Sequence, residues 1–229
     1  MKKALLGVSS GITSSTVIRA AWAVVISKNS LSDDFTLGAT VTGRSVPLAG
    51  INNMIGPTIS AVPIRVRLDG NAAAMDFLQD VQTASTRIVP HEHLGLQNIA
   101  ALSRDARHAC NFQNLLVVQP KAEDDTPKAG LDMTQLPQGG MDSHAYPLLV
   151  ECQIGEGDVE LIARYNRASM STDYASQILY QFQLVIDQLL HADENLICQI
   201  SAFSARSISS RLHGGGRNPP QWLMRASTK

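Results

Sequence analysis

The sequence predicts an α/β domain of the layered, α+β sandwich kind. Three observations carry this expectation. Helix and strand periodicities alternate along the chain in the order α, β, β, α, β, β, β, α. One strand, "FQNLLVVQ" at 112–119, has a continuous apolar centre, the mark of burial on both faces. The chain has 229 residues, 44% of them hydrophobic, which is ample for a core and for one domain or one and a half.

Each element has its own reason. "TSSTVIRAAWAVVISK" at 13–28 is apolar almost all round, through Val17, Ile18, Ala21, Trp22, Val24 and Val25, so it reads as a buried helix capped by Thr13, Ser14 or Ser15. "FTLGATV" at 35–41 reads as a strand. Segment 43–62 is a long loop broken by prolines and glycines, and too apolar for a disordered linker. It should pack against something or pass through it. "VPIRVRL" at 62–68 alternates, with Val62, Ile64, Val66 and Leu68 facing inward and Arg65 and Arg67 solvated.

"NAAAMDFLQDVQTASTRI" at 71–88 spaces Met75, Leu78, Val81 and Ile88 for an amphipathic helix, with Asn71 as N-cap. A weaker helical segment covers 94–103, and 121–145 forms a second long loop of acids, prolines and glycines. "PLLVECQI" and "VELIARY" make a hairpin across a turn at 155–158. "STDYASQILYQFQLVIDQLLHA" at 171–192 is the strongest helix, striped by Ile178, Leu179, Phe182, Val185, Ile186 and Leu189. No internal repeat is present. After about residue 202 the chain is basic, aperiodic and broken by Gly and Pro, so it is expected to be poorly ordered.

Composition excludes several functions. A formal net charge of −1 gives a nucleic-acid partner no support. Cys110, Cys152 and Cys198 form no CxxC pair and read as thiols in a reducing compartment. The apolar run at 4–8 is too short for a signal peptide, and no stretch is long enough to span a membrane. The chain therefore reads as cytoplasmic.

Chemical motifs are sparse. His91, Glu92 and His93 lack a third and fourth ligand partner, so no metal is expected, and the histidines read as solvated or capping residues at a helix junction. His108, His144, His191 and His213 have no neighbouring nucleophile, and GxSxG, HExxH and phosphate-cradling glycine loops are absent. Arg65 and Arg67 could clamp a phosphate, but outward arginines on a strand are more often solvated.

Resemblance adds what spacing cannot. "DDFTLGATVTGR" followed by "MIGPTISAVPIRVRL" resembles the C-terminal half of condensation domains of nonribosomal peptide synthetases, and "FQNLLVVQP" has the style of the fungal branch. The family pattern V-G-x-F-V-N-T-L-P-L-R is met in kind by Ile55, Gly56, Pro63 and Arg65. Thr58, Ser60 and Ala61 stand where Phe, Asn and Thr are usual. A second pattern, H-Q-D-x-P-F-E, is met at His91, nearly met at Glu92 and Gln97, and broken by Gly95 and Leu96. A third, R-D-L-S-R-N-P-L-F-Q, is met at Arg104, Asp105, Phe112 and Gln113, with Ala109 in place of the asparagine.

The resemblance implies two subdomains like chloramphenicol acetyltransferase, each a mixed sheet with flanking helices, arranged as a V around a tunnel. Two carrier proteins would present acyl thioesters on phosphopantetheine arms, and the acceptor amine would attack the donor thioester. Some fungal terminal members instead close a peptide ring. Segment 43–62, with Arg44, Ile55, Gly56, Pro57, Thr58 and Ser60 and with Pro63 just beyond it, would be the crossing beneath the tunnel, and 121–145 a second one. The implied organisation is a stub at 1–9, the C-terminal condensation subdomain at 10–202 and a basic tail at 203–229. The family's His-His-x-x-x-Asp-Gly lies in the N-terminal subdomain, and this chain has no adjacent histidines. Hence no catalytic residue and no directly bound cofactor is expected here. The expected partners are an N-terminal condensation subdomain, in cis or in trans, and carrier proteins. A truncated or degenerate gene product, a fragmentary gene model, or a non-catalytic carrier-binding module are the alternatives. An independent HxxxD acyltransferase is disfavoured, because no histidine has Asp four residues on.

Overall fold

A computed structural model describes residues 11–45, 48–121, 146–155, 159–191 and 196–200. The expected basic tail at 203–229, the stub at 1–9 and nearly all of the second long loop lie outside the described residues.

The first helix, α1 (Ser14–Ser30), is capped by Thr13, whose side chain accepts from the Thr16 amide. This selects one of the three caps open to the sequence. Strands β1 (Asp34–Val41) and β2 (Ser60–Arg67) pair antiparallel, with Val41 opposite Ser60. The strand therefore begins two residues earlier, at Ser60, than its alternation implied. Helix α2 (Ala74–Ile88) starts later than expected, and Ala73 rather than Asn71 holds the N-cap position. The Asn71 amide instead donates to Asp69 Oδ1 at 2.9 Å, in a local turn that competes with helix initiation.

The weak helix at 94–103 resolves into α3 (Leu96–Leu102) and an unanticipated α4 (Arg104–Ala109). Ser103 separates them in extended conformation, and its side chain caps α4 by accepting from the Ala106 amide. Strand β3 (Asn114–Pro120) is followed by the hairpin β4 (Leu148–Ile154) and β5 (Val159–Tyr165), and then by α5 (Thr172–Leu190). Among the described residues the strands form one mixed sheet in the order β2-β1-β3-β4-β5, with β3 parallel to both β1 and β4. A layered α/β fold with a mixed sheet is thus observed as expected.

One sheet face meets the long helices. Phe35, Leu37, Leu116, Leu148, Val150 and Cys152 are buried there in one cluster with Trp22 of α1, Leu78 of α2 and Phe182 of α5. Trp22 and Phe182 meet edge-to-face with ring centroids 5.2 Å apart. Burying each such large side chain stabilises the fold by about 1.5–3 kcal/mol. Two buried polar links set the register of this layer. Trp22 Nε1 donates to Asn114 Oδ1 at 3.2 Å, and Asn29 Nδ2 donates to Gln181 Oε1 at 2.8 Å.

The alternation of the strands places the other residues on the opposite face. Phe112 leaves the β3 ladder and lies over Gly38, stacked on Tyr146 at 5.2 Å. A Cβ at Gly38 would come within 2.2 Å of the Phe112 ring, so this contact requires glycine. That packing explains why β3 begins at Asn114, later than its apolar run implied.

Candidate functional site

The segment between β1 and β2 forms an arm that is braced from within. Gly43 turns the chain with φ +64, and a Cβ there would lie 2.2 Å from the Thr58 carbonyl oxygen and 2.8 Å from His93 Cε1. Thr58 Oγ1 donates to the Thr42 carbonyl at 2.7 Å and closes the neck of the arm. Arg44 reaches along the arm and donates to the carbonyls of Ile51 at 2.6 Å, Met54 at 3.0 Å and Gly56 at 3.4 Å. One guanidinium thus organises a short 3-10 turn (Ile51–Asn53) and the bend beyond it. The arm is ordered by polar contacts to its own backbone.

Its apolar side chains are left uncovered. Ile55 is fully exposed, Ile59 is 72% exposed, and Leu48 and Met54 are about half exposed. A groove of about 430 Å³ runs between the arm and the turn after α2, lined by Leu48, Ile51, Met54, Pro57, Ile59 and His93. Contiguous exposed apolar surface of this kind marks an interaction site.

The residues singled out from the sequence fall in several places. Arg44 and Thr58 brace the arm, Ile55, Gly56 and Pro57 form its exposed tip, and Ser60 and Pro63 lie in β2 opposite Val41 and Gly38. His91 and His93 are exposed, whereas Glu92 between them is only 5% exposed. Burial pushes the Arg19 guanidinium below its ordinary value, and the nearby Glu92 carboxylate opposes that shift. Gln97 of α3 and Arg104 and Asp105 of α4 are exposed. Phe112 is a packing residue over Gly38, and Gln113 Nε2 donates to the Asn111 carbonyl at 3.1 Å. The first motif and the turn of the second meet at Gly43 and His93, whereas the third motif is spent on packing and on α4. No cluster of three metal-ligating side chains exists among the described residues.

On the outer face of β2, Arg65 donates to Asp34 at 2.8 Å and 2.6 Å, and Arg67 donates at 3.3 Å. The Arg65 hydrogen bonds hold the Asp34 carboxyl below its ordinary value. These exposed arginines are already paired with a carboxylate, and such pairs contribute little stability.

A further cluster escaped the sequence reading. Glu151 of β4 is 5% exposed, yet its neighbours Val150 and Cys152 point to the helices and it does not. Its Oε1 accepts from Gln119 and Gln153, both at 2.6 Å, and its Oε2 accepts from Arg164. Burial drives this carboxyl upward, but the hydrogen bonds from Gln153, Arg164 and Gln119 outweigh burial and hold it below its ordinary value. On the helix side, burial pushes the Cys152 thiol up to about 12, so it is no nucleophile. Only the alternation of "ECQI" and "LIARY" hinted at the Glu151 cluster, because its partners come from three strands.

Comparison with known proteins agrees with this architecture. The family model of the condensation domain matches residues 6–208. The chain is 41% identical over 186 residues to the nonribosomal peptide synthetase TES of Alternaria alternata, covering 81% of this chain and 4% of that protein. It is 34% identical over 217 residues to the nonribosomal peptide synthetase sidD of Aspergillus fumigatus, covering 94% of this chain and 10% of that protein. Among solved structures it matches a holo four-domain nonribosomal peptide synthetase bound to AMP and glycine, with a TM-score of 0.69, 14% identity, and coverage of 89% and 17%. It matches the first condensation domain of the CDA synthetase with a TM-score of 0.65, 12% identity, and coverage of 89% and 45%. The chain thus spans a small fraction of its curated relatives and under half of that condensation-domain structure.

Proposed function

The chain belongs to the condensation-domain family, and from that premise we propose that it supplies one wall of a tunnel in which an amide bond forms between carrier-bound acyl groups, or in which a peptidyl chain cyclises. The arm carries this reading. Arg44 and Thr58 fix its backbone while Ile55 and Ile59 remain in solvent. A segment held so firmly, with its apolar side chains outward, is built to be covered by a second body. Covering a large aliphatic side chain contributes about 1.5–3 kcal/mol.

The chemistry follows from what this wall holds. The acceptor amine must lose a proton as it attacks the thioester carbonyl, and the thiol of the phosphopantetheine arm leaves. The chain has no adjacent histidines, and the buried Cys152 thiol is protonated at neutral pH. In this reading the His-His-x-x-x-Asp-Gly half comes from an N-terminal condensation subdomain, in cis or in trans, and these residues are inactive without it. It binds no cofactor of its own; phosphopantetheine enters as part of the carrier-bound substrate. A cytoplasmic setting belongs to the same proposal, which agrees with free cysteines and with the absence, among the described residues, of any helix able to cross a membrane.

Association tests the reading before any chemistry does. Sedimentation of the chain with a separately expressed N-terminal condensation subdomain should give a one-to-one complex, with slowed amide exchange across 48–59. Substituting Ile55→Asp and Ile59→Asp together should weaken it by roughly tenfold or more. Failure to associate, or a complex indifferent to both substitutions, contradicts the arm's proposed role.

A further inference from the structure

We propose that Arg164, held by Glu151, is a specificity-determining hydrogen-bond donor for an amide group of the carrier-bound chain. This rests on the tunnel-wall reading and goes beyond it.

The cluster lies on the sheet face opposite the long helices. Register places Leu115, Val117 and Gln119 of β3 beside Leu149, Glu151 and Gln153 of β4, and these beside Arg164, Ile162 and Glu160 of β5. Alternation puts all of them on one face, because Leu116, Leu148, Val150 and Cys152 point into the core. Glu151 sits with apolar Val117 and Ile162 directly opposite it on the neighbouring strands. The surface thus sets polar groups among the apolar Leu115, Val117, Leu149 and Ile162, so that a ligand lying on it meets both apolar contacts and placed hydrogen-bonding groups.

Position matches the arm. Strands β1, β3 and β4 run parallel to one another, so their C-terminal ends share one edge of the sheet. The arm leaves β1 at that edge, and Glu151 is near the same edge two strands away, roughly 10 Å across at ordinary strand spacing. The other end of this face is closed by Phe112 and Tyr146 over Gly38.

The hydrogen-bonding inventory selects the ligand class. Arginine has five N–H donors, and Glu151 is the sole partner of Arg164 among the described residues. The Arg164 side chain is 32% exposed, whereas that of Glu151 is 7% exposed, so the guanidinium faces outward from a buried carboxylate. Gln119 and Gln153 donate to Glu151 through Nε2, which leaves their carbonyl oxygens as acceptors. Glu151 neutralises Arg164, and Lys121 and Glu160 alongside are paired with each other at 3.3 Å. The site is therefore close to neutral and offers both donors and acceptors. That suits an amide, with its carbonyl and N–H, better than a phosphate. The ligand class is an amide-bearing acyl chain, such as a peptidyl group.

The test uses two stable thioether probes, pantetheine carrying an N-acetyldipeptide and pantetheine carrying an alkyl chain of similar length. Binding is followed on the complex with the N-terminal subdomain by calorimetry and by the side-chain NMR signals of Arg164, Gln119 and Gln153. Arg164→Lys keeps the charge and loses the fork. Arg164→Met with Glu151→Gln removes the pair without burying a charge. Both should weaken the dipeptide probe about tenfold and leave the alkyl probe within about twofold. Should the double variant fail to fold, Arg164→Lys alone decides the matter. Equal loss for both probes, or no loss for either, overturns the inference. Dipeptide binding that depends on Arg164 without any acyl transfer supports the inference while sinking the tunnel-wall reading. Transfer indifferent to Arg164 for peptidyl and simple acyl donors alike does the reverse.

Discussion

Gly38 and Glu151 show how single positions set the limits of this molecule. Phe112 occupies the space of a Gly38 side chain, so Gly38→Ala should cost about 1–3 kcal/mol in urea unfolding. Adding Phe112→Ala should recover part of that cost, and strictly additive losses in the double variant would show that the two residues do not touch. Glu151 lends itself to a pH test. Its folded pKa is below the ordinary 4.5, so its contribution is complete above about 4.5 and is lost as pH falls through the lower folded value. Glu151→Gln should therefore destabilise the fold by about 1–3 kcal/mol at neutral pH, and the difference from wild type should shrink below that value. A pH-independent difference would mean that charge plays no part. Neither role was legible from sequence. A lone Glu in an alternating strand reads as solvated, and its partners come from three strands, Gln119 of β3 lying 32 residues away. The burial of Glu92 is of the same kind, since the turn after α2 folds it inward beside Arg19.

Elements with strong periodicity were legible and their ends were not. The stripes of α1, α2 and α5 and the alternation of β2 were each plain in the chain, because one face of each meets a common core. The start of α2 was misplaced because Asp69 captures the Asn71 amide in a turn. The short α4 was missed because its helix depends on the Ser103 cap rather than on an apolar stripe. The arm was recognisable as a loop that something should cover, but its bracing was not, since Arg44 acts on carbonyls seven to twelve residues away. Arg44→Met removes those donors while leaving the helix-side core intact. It should raise the rate of limited proteolysis within 48–57 about tenfold, with the thermal midpoint falling by less than about 4 °C. A large fall in the midpoint would show instead that the arm is integral to the core.

At the scale of the whole molecule, a well-packed helical layer backs a sheet whose opposite face and projecting arm are the surfaces proposed to meet partner and substrate. The family and the fold were legible from motif order, and the comparisons bear both out. What the motifs did not convey is that their residues divide between bracing, packing and exposure. The most direct measurement combines the chain with a separately expressed N-terminal condensation subdomain bearing the His-His motif. Thioester-to-amide transfer is then followed between two loaded carrier proteins. The account predicts transfer only when both halves are present, with neither half active alone. Transfer by the upstream half without this chain, or no transfer from a demonstrated complex, would contradict its role as a tunnel wall.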